Sequence, residues 1–201
     1  MRVGLFGGSF DPPHRGHLAV AEAVRDRFAL DRVLLAPAAV QPLKPDGAHA
    51  SFADRLRMVE LLCEGAHSIE ASTIDGPQSH GEPNYTIDTL HRLRDKLPQG
   101  AEIFVIVGAD AFLGIRQWKD PEALLRQARW IIVRRPGFDL PQMETLELTP
   151  EQKAHIETLS NFANPVSATE VRERLGEHDA ASELVPPKVL EYIRAHHLYG
   201  T

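Results

Sequence analysis

The sequence predicts an α/β fold with a doubly wound, mostly parallel sheet, helices on both faces and a small C-terminal helical part. Short apolar runs, typical of buried strands, alternate along the chain with stretches whose apolar residues recur at helical spacing. Strands separated by helices form βαβ units, which place successive strands parallel to one another. The length of 201 residues suits one domain over 1–201, with a sheet-bearing core over 1–165 and the helical part over 166–201.

The first half of the chain supplies three predicted strands and three predicted helices. An apolar run from Arg2 to Phe6 stops at two glycines, and a second run from Arg32 to Ala36 stops at Pro37. Ser51 is a suitable helix N-cap, with Asp54 three residues later. We predict strands over residues 2–6, 32–36 and 67–74, and helices over residues 17–28, 51–64 and 85–97.

The second half begins with the clearest strand of the chain, from Glu102 to Val107, in which five consecutive residues are apolar. A helix over residues 121–127 and a strand from Trp130 to Val133 follow, and Arg134 stands directly after that strand. The C-terminal third contains helical stretches near residues 150–159, 168–176 and 186–197. This order continues the alternation of strands and helices and then ends in the helical part.

Composition limits the function classes. The formal net charge is −6 and the sequence pI is about 5.9, and an acidic chain is a poor candidate for non-specific binding of nucleic acids or membranes. Any phosphate binding must therefore come from a local site. The lone cysteine, Cys63, excludes an intrachain disulfide and a cysteine-clustered zinc site. No apolar run reaches the ~18 residues of a membrane span, and the N-terminus lacks the pattern of a signal peptide, so we expect a cytoplasmic protein.

The segment from Gly7 to His17 carries the first pattern with chemical meaning, because it joins the first strand to the first helix. Ligands bind at the carboxyl ends of strands in a doubly wound sheet. Gly7 and Gly8 allow backbone N–H groups to approach a phosphate, and Gly16 allows a ring or phosphate to lie close to the helix start. His14 and His17 bracket that helix start, where imidazoles can donate hydrogen bonds to a polyphosphate and stabilise charge on leaving pyrophosphate.

Less specific explanations remain for each part of this segment. Two glycines mark any tight turn, and a surface histidine is usually only solvated. His14 and His17 can also be metal ligands, although no further cluster with zinc spacing lies nearby in the sequence. Asp11 can stabilise the turn without touching a ligand. The combination of strand, Gly-Gly, turn, His-x-Gly-His and amphipathic helix is much more specific than any of its members.

A second pattern lies near the C-terminus, from Val166 to Arg172. Ser167 is a suitable helix N-cap, with Glu170 at the third helical position of a capping box. Capping alone accounts for both residues. Thr169 and Arg172, about one helical turn apart, also suit the binding of phosphate at a helix N-terminus.

At these residues the sequence resembles a known family. Gly-Gly-Ser-Phe-Asp-Pro-Pro-His-x-Gly-His is similar to the signature of the nicotinate-nucleotide adenylyltransferases, which belong to the nucleotidyltransferase superfamily and have a Rossmann-like fold. The resemblance implies that His14 and His17 bind ATP phosphates and that Gly8, Ser9 and Phe10 line the nucleotide cleft. Residues 167–172 resemble the family's second signature, Ile-Ser-Ser-Thr-x-Ile/Val-Arg, which implies ATP or phosphate contacts for Ser167, Thr169 and Arg172. Ala168 replaces the second serine of that signature.

Other blocks of the chain resemble the substrate end of the same family. Residues 84–90 resemble its Tyr-Thr-x-Asp-Thr block, which implies that Tyr85 and Thr86 hold the nicotinate end, although capping by Asn84 or Thr86 is an alternative. Further substrate contacts are expected from four residues: Asp110 with a ribose hydroxyl or cation, Trp118 by stacking on the pyridine ring, Lys44 from the loop after the second strand, and Arg134 with phosphate. Asp110 can instead cap a helix, Trp118 can fill the core, and Leu43 departs from the family's Pro-Pro-His-Lys pattern.

The resemblance implies that AMP passes from ATP to nicotinate mononucleotide, giving nicotinate adenine dinucleotide and pyrophosphate. A phosphate monoester is already an anion at neutral pH, so the reaction needs no general base, and Mg²⁺ is expected to arrive with ATP. The expected partners are these two nucleotides, and the sequence leaves homo-oligomerisation open. Alternatives are another adenylyl- or cytidylyltransferase of the superfamily, such as a pantetheine-phosphate adenylyltransferase, and a nucleotide-sensing module without turnover. A tRNA-ligase fragment is a weaker alternative, because the short acidic chain leaves no room for an RNA-binding domain.

Overall fold

A six-stranded parallel sheet forms the centre of the computed structural model, which describes residues 1–42, 47–134, 141–160, 166–176 and 181–201. Its strands lie in the order β3-β2-β1-β4-β5-β6, and every neighbouring pair is parallel. This is the strand order of a doubly wound Rossmann-like sheet, so the predicted fold class is confirmed. The strands are β1 (Arg2–Gly8), β2 (Arg32–Pro37), β3 (Ile69–Ala71), β4 (Glu102–Gly108), β5 (Arg129–Val133) and β6 (Ile156–Leu159).

Helices cover both faces of the sheet. Within the described ranges they are α1 (Arg15–Arg27), α2 (Phe52–Cys63), α3 (Thr86–Lys96), α4 (Ala109–Leu113), α5 (Pro121–Gln127), α6 (Pro141–Glu144), α7 (Pro150–Ala154), α8 (Ala168–Leu175) and α9 (Pro187–Ala195). Short 3₁₀ helices occur at Ser79–Gly81, Ile115–Gln117 and Leu198–Gly200. The predicted N-cap Ser51 accepts a hydrogen bond from the Asp54 N–H, as expected. No helix in the described ranges combines the length and the apolar character that crossing a membrane requires.

Alternating side chains of each strand enter two separate cores. Phe104 and Ile106 of β4 face the core that also contains apolar residues of α1, α2, α8 and α9. Ile103 and Val105 face the opposite core, which α3, α4 and α5 cover. Period-two alternation within buried strands is what a sheet covered on both faces requires.

Two of the predicted elements were wrong in extent. The predicted helix near 150–159 ends at Ala154, and Ile156–Leu159 instead forms β6 beside β5. The β-branched Ile156 and Thr158 favour this extended edge position, where pairing with β5 outweighs the helical pattern. The third strand covers only Ile69–Ala71 of the predicted 67–74. Its start is limited by Ser68, whose φ of 56° interrupts extended backbone.

The C-terminal part packs into the core beside α1 and α2. Val171 and Leu175 of α8, and Val189 and Ile193 of α9, belong to the same buried cluster as Val24 of α1. The expected boundary near residue 165 lies outside the described residues. The shared core holds the C-terminal helices against the elements that follow β1 and β2.

Candidate active site

The candidate site lies where the sheet order reverses, between β1 and β4. β1 pairs with both β2 and β4, so the chain leaves these strands in opposite directions and opens a crevice at their carboxyl ends. The pairing of β1 with β4 ends at Phe6 and Ile106, so the carboxyl ends of the two strands, at Gly8 and Gly108, lie at the same edge of the sheet. The predicted phosphate segment begins at this edge.

His14 and His17 lie side by side, as the sequence pattern requires. Their ring centroids are 3.8 Å apart with an interplanar angle of 34°. His14 is the N-cap of α1 and is 4% exposed, whereas His17 is half-buried in its first turn. Two imidazoles thus converge at the start of a helix whose dipole favours an anion there.

One hydrogen bond fixes the ring of His17. The backbone N–H of His14 donates to His17 Nδ1 at 3.2 Å. Because Nδ1 accepts, a neutral His17 ring carries its proton on Nε2, which makes Nε2 a donor. The ring of Phe10 packs against the ring of His17, and the two centroids are 4.8 Å apart.

The glycines and Phe10 of the loop have different surroundings. Gly7 is exposed, and a Cβ built on it meets nothing within 4 Å, so the backbone there faces open space. A Cβ on Gly8 would lie 3.3 Å from the Phe10 ring. Phe10 is only 1% exposed and has a φ of 49°, which places its side chain in the core behind the histidines. Ser9 is half-buried and Gly16 is buried.

Some backbone N–H groups at the start of α1 already donate to carbonyl oxygens of the protein. The N–H of Arg15 donates to the Leu184 carbonyl at 2.8 Å, and the N–H of His17 donates to the His14 carbonyl at 2.9 Å. These bonds satisfy two of the donors that a helix N-terminus leaves without intrahelical partners. These two N–H groups therefore already have acceptors within the protein.

The two sequence patterns meet in space through Arg172. Its Nη1 donates to the Asp11 carbonyl at 2.6 Å, and its Nη2 donates to Thr169 Oγ1 at 3.3 Å. A guanidinium has five N–H donors, so these bonds leave others for a phosphate. Ser167 is the N-cap of α8 and accepts from the Glu170 N–H, while the Glu170 carboxylate accepts from Arg174.

Asp11 joins three parts of the chain. Its carboxylate accepts from the backbone N–H groups of His49 (2.7 Å) and Ala50 (3.1 Å) and from the Tyr199 hydroxyl (2.7 Å). Burial acts to raise the pKa of Asp11, but the hydrogen bonds from these three residues outweigh burial and hold the pKa below its ordinary value. Burial, together with the bond to Asp11, raises the pKa of Tyr199. Asp11 thus holds the loop between β1 and α1 in place, which is the turn-stabilising role that the sequence left open for it.

Arg55 is a residue of the site that the sequence reasoning missed. It is 2% exposed and donates to three carbonyl oxygens, those of Ser9 (2.6 Å), Ala50 (3.2 Å) and Ala39 (3.4 Å). It therefore joins the loops that follow β1 and β2. Its place on the apolar stripe of α2, three residues before Met58, is a signal that could have revealed a buried arginine.

The predicted acceptor end is built around the start of α3. Thr86 is the first residue of this helix, and Tyr85 is its N-cap without a side-chain capping bond. Asn84 does not cap the helix: its Oδ1 accepts from the Val40 N–H at 3.0 Å, and its Nδ2 donates to the Gly76 carbonyl at 2.8 Å. Asn84 therefore ties α3 to the loops after β2 and β3.

The loop after β2 connects the predicted ATP end of the site with the predicted acceptor end. The Ala38 N–H donates to the Gly8 carbonyl, and the Asn84 N–H donates to the Val40 carbonyl, both at 2.9 Å. Thr89 is 2% exposed and donates to Asp75 Oδ1 at 2.6 Å, so it serves to hold α3 in place. Residues 38–40 thus connect the carboxyl end of β1 with the start of α3.

The remaining predicted residues have separate positions. Asp110 is exposed in the first turn of α4 and does not cap this helix, whose N-cap is Gly108. Trp118 is half-buried and packs against the edge of Trp130, with centroids 6.1 Å apart. Arg134 follows β5 and borders an apolar pocket with Met143, whose lining includes neither His14 nor His17. Lys44 lies outside the described residues.

The metal-ligand alternative for the histidines finds little support in their surroundings. Among the residues that the structure describes, no three His, Cys, Asp or Glu side chains lie close enough together to hold a metal ion. Cys63 is buried, and desolvation raises the pKa of its thiol to about 12, so it has no activated thiolate.

Sequence comparison with known proteins identifies full-length relatives of the chain. The model of the cytidylyltransferase-like family matches residues 5–174. A protein named as a probable nicotinate-nucleotide adenylyltransferase from Solibacter usitatus is 39% identical over 200 residues, covering 100% of both chains. One with the same name from Gloeobacter violaceus is 40% identical, covering 98% of this chain and 96% of its own.

A solved structure shares the fold at low sequence identity. The Plasmodium falciparum nicotinic acid mononucleotide adenylyltransferase, complexed with NaAD, has a TM-score of 0.75 and 18% identity. The match covers 98% of this chain and 97% of the other. With the full-length relatives above, these matches place the chain by sequence as well as by fold. The chain belongs to the nicotinate-nucleotide adenylyltransferase family, within the cytidylyltransferase-like proteins.

Proposed function

We propose that this chain transfers AMP from ATP to nicotinate mononucleotide, forming nicotinate adenine dinucleotide and pyrophosphate. The observation that carries the proposal is the meeting of the two sequence patterns. Arg172 of α8 donates to the carbonyl of Asp11, three residues before the His14–His17 pair. Full-length similarity to relatives of that name supports the same reaction. We place the reaction in the cytoplasm, where ATP is abundant.

The ATP end is assigned to the edge between β1 and α8. His14 and His17 donate to the phosphates and stabilise the charge that develops on leaving pyrophosphate. Arg172 uses its remaining donors on the same phosphates, with its guanidinium held by Asp11 and Thr169. The other assigned ATP contacts are the loop and helix-start residues Gly7, Gly8, Ser9, Phe10, Gly16 and Ser167. For Phe10 the contact is through backbone, because its side chain is buried.

The acceptor end is assigned to the start of α3 and the neighbouring loops. The N-terminus of α3, at Tyr85 and Thr86, suits the nicotinate carboxylate because its N–H groups and dipole favour an anion. Trp118 offers a ring for stacking on the pyridine. Lys44, Asp110 and Arg134 are proposed contacts for phosphate or ribose groups. Asn84 holds this end through its bonds to residues 40 and 76.

The chemical step is an in-line displacement at the α-phosphorus of ATP. An oxygen of the mononucleotide phosphate forms the new P–O bond, and the bond to pyrophosphate breaks. The attacking phosphate is already ionised, so no side chain needs to remove a proton. Catalysis then consists of positioning the two nucleotides and neutralising charge, which is the general pattern of phosphoryl-type transfer.

Magnesium is assigned to the ATP phosphates. The described residues offer no cluster of three His, Cys, Asp or Glu side chains for a protein-bound ion, and Mg²⁺ commonly binds through substrate phosphates and water. When bound, it supplies charge neutralisation on the phosphate oxygens. Asp110, exposed in the first turn of α4 after the carboxyl end of β4, is a proposed contact for the ion or its waters.

A pyrophosphate-release assay with a panel of acceptors tests the proposal. With ATP and Mg²⁺, release is expected with nicotinate mononucleotide and not with phosphopantetheine, the acceptor of a related family. Preference for nicotinamide mononucleotide would change the acceptor assignment. If ATP binds in a calorimeter but no acceptor releases pyrophosphate, a nucleotide-sensing module replaces the enzyme.

A further inference from the structure

We propose that Tyr199 is a positioning residue of the active site: its hydroxyl, through the carboxylate of Asp11, holds the loop that carries His14 and the acceptor of Arg172. The inference rests on the proposed function of those two residues. Tyr199 lies 188 positions after Asp11 in the chain. It belongs to the final 3₁₀ helix and has a left-handed backbone conformation, with a φ of 59°. It is half-buried and cannot be recognised as part of the site from its neighbours in sequence.

The C-terminal segment contacts the loop between β1 and α1 (residues 9–14, the phosphate loop of the proposed function) at Asp11 and, directly after the loop, at Arg15. The Tyr199 hydroxyl donates to Asp11 Oδ1 at 2.7 Å, and the Leu184 carbonyl accepts from the Arg15 N–H at 2.8 Å. His14 lies between these two points. The position of the first catalytic imidazole is therefore set by a segment from the opposite end of the chain.

Asp11 transmits the contact to Arg172. The residue is only 4% exposed, with Tyr199 and Ala50 donating to one carboxylate oxygen and His49 to the other. Its main-chain oxygen accepts from Arg172 Nη1 at 2.6 Å. With the side chain fixed on one side, the carbonyl presents a fixed acceptor to the guanidinium on the other.

Tyr192 provides a matched control. It lies in α9, and its hydroxyl also donates to an aspartate, Asp54 Oδ1 at 3.0 Å, but that aspartate belongs to α2 and not to the phosphate loop. Tyr192→Phe and Tyr199→Phe each remove one hydroxyl that binds a carboxylate. Only the second should affect the loop.

The test compares the two variants by steady-state kinetics and by hydrogen exchange of residues 9–15. Tyr199→Phe is expected to lower kcat about tenfold with little change in KM for nicotinate mononucleotide, since loss of one bond to an ionised group corresponds to a factor of this order. Amides of residues 9–15 should exchange faster than in Tyr192→Phe or wild type. Equal kcat values for the two variants, or unchanged exchange in the loop, would overturn the proposal.

Combining Tyr199→Phe with Arg172→Lys tests the route of the effect. If Tyr199 acts through Asp11 on Arg172, the double variant should lose less activity than the product of the two single losses. A fully multiplicative loss would contradict that route. Hydrogen exchange needs no turnover, so an inactive wild type would refute the proposed function while leaving the positioning test decisive.

Discussion

The imidazole of His17 combines a fixed orientation with a place at a helix start. Its Nδ1 accepts from the His14 N–H, which directs the Nε2–H donor to the other side of the ring. We predict that His17→Ala lowers kcat by about 10²–10³-fold, the usual loss when a donor to developing negative charge is removed. Circular dichroism should show an intact fold. His67→Ala, an exposed histidine before β3, is the control, and a near-normal rate for His17→Ala would refute the assigned role.

Arg172 depends on the planar geometry of its guanidinium. Two of its nitrogens contact Asp11 and Thr169, and a lysine cannot make both contacts while also reaching a phosphate. We expect Arg172→Lys to lower kcat/KM for ATP by about 10–100-fold, measured at saturating mononucleotide. The control is Arg174→Lys on the same helix, where the arginine pairs with Glu170. Equal losses in the two variants would show that Arg172 has no special contact with ATP.

At the scale of the element, two of the three glycines of β1, Gly4 and Gly7, have different functions. A Cβ on Gly4 would lie 3.0 Å from side-chain carbons of Ile106 and Leu30, whereas a Cβ on Gly7 meets nothing within 4 Å. Gly4→Ala should therefore reduce the free energy of unfolding by about 1–3 kcal/mol through overpacking. Gly7→Ala should leave that free energy within about 0.5 kcal/mol and raise KM for ATP. Urea unfolding and kinetics of both variants check the separation, and the reverse pattern would contradict it.

The start of α3 depends on the side chain of Asn84. Asn84→Ala leaves the Val40 N–H and the Gly76 carbonyl without their bonds to this side chain, which costs about 1–3 kcal/mol of stability. We expect KM for nicotinate mononucleotide to rise while KM for ATP is unchanged. Gln78→Ala, whose side chain also donates to the Gly76 carbonyl, is the matched control. A rise of both KM values to the same extent would argue against a role confined to the acceptor end.

At the scale of the whole molecule, the ionised carboxylate of Asp11 connects the N-terminal part of the chain with Tyr199 near the C-terminus. The free energy of unfolding should therefore fall at low pH, where this carboxylate becomes protonated. The folded pKa of Asp11 is lower than its ordinary value of 3.8, the net result of burial and of the outweighing hydrogen bonds from His49, Tyr199 and Ala50. Its contribution is therefore fully present above pH ~4 and is lost as the pH falls through the lower folded pKa. Denaturant unfolding from pH 6 to pH 2 should show this loss in wild type and a flatter acid limb in Asp11→Asn. Asp95→Asn, an exposed control, should follow wild type, and a parallel acid limb for Asp11→Asn would contradict the prediction.

Local patterns predicted the sheet, because buried parallel strands are continuous apolar runs and helices carry apolar stripes. The histidine pair and Ser167 could be recognised because their neighbours in sequence complete the pattern. The burial of Arg55 could be inferred from its place on the apolar stripe of α2, but its bond to Ser9 could not, and neither could the Asp11–Tyr199 bond. These partners are 46 and 188 positions apart and meet only through tertiary packing. β6 was missed because four residues at a sheet edge are too few to establish a period.

The most direct measurement of the central claim follows oxygen through the reaction. Nicotinate mononucleotide with ¹⁸O in its phosphate is incubated with the enzyme, Mg²⁺ and unlabelled ATP. The ¹⁸O content of each product is then measured by mass spectrometry. Direct attack of the acceptor phosphate on the α-phosphorus predicts that all of the label remains in the dinucleotide and that pyrophosphate is unlabelled. Label in pyrophosphate or in free phosphate, or no dinucleotide at all, would contradict it.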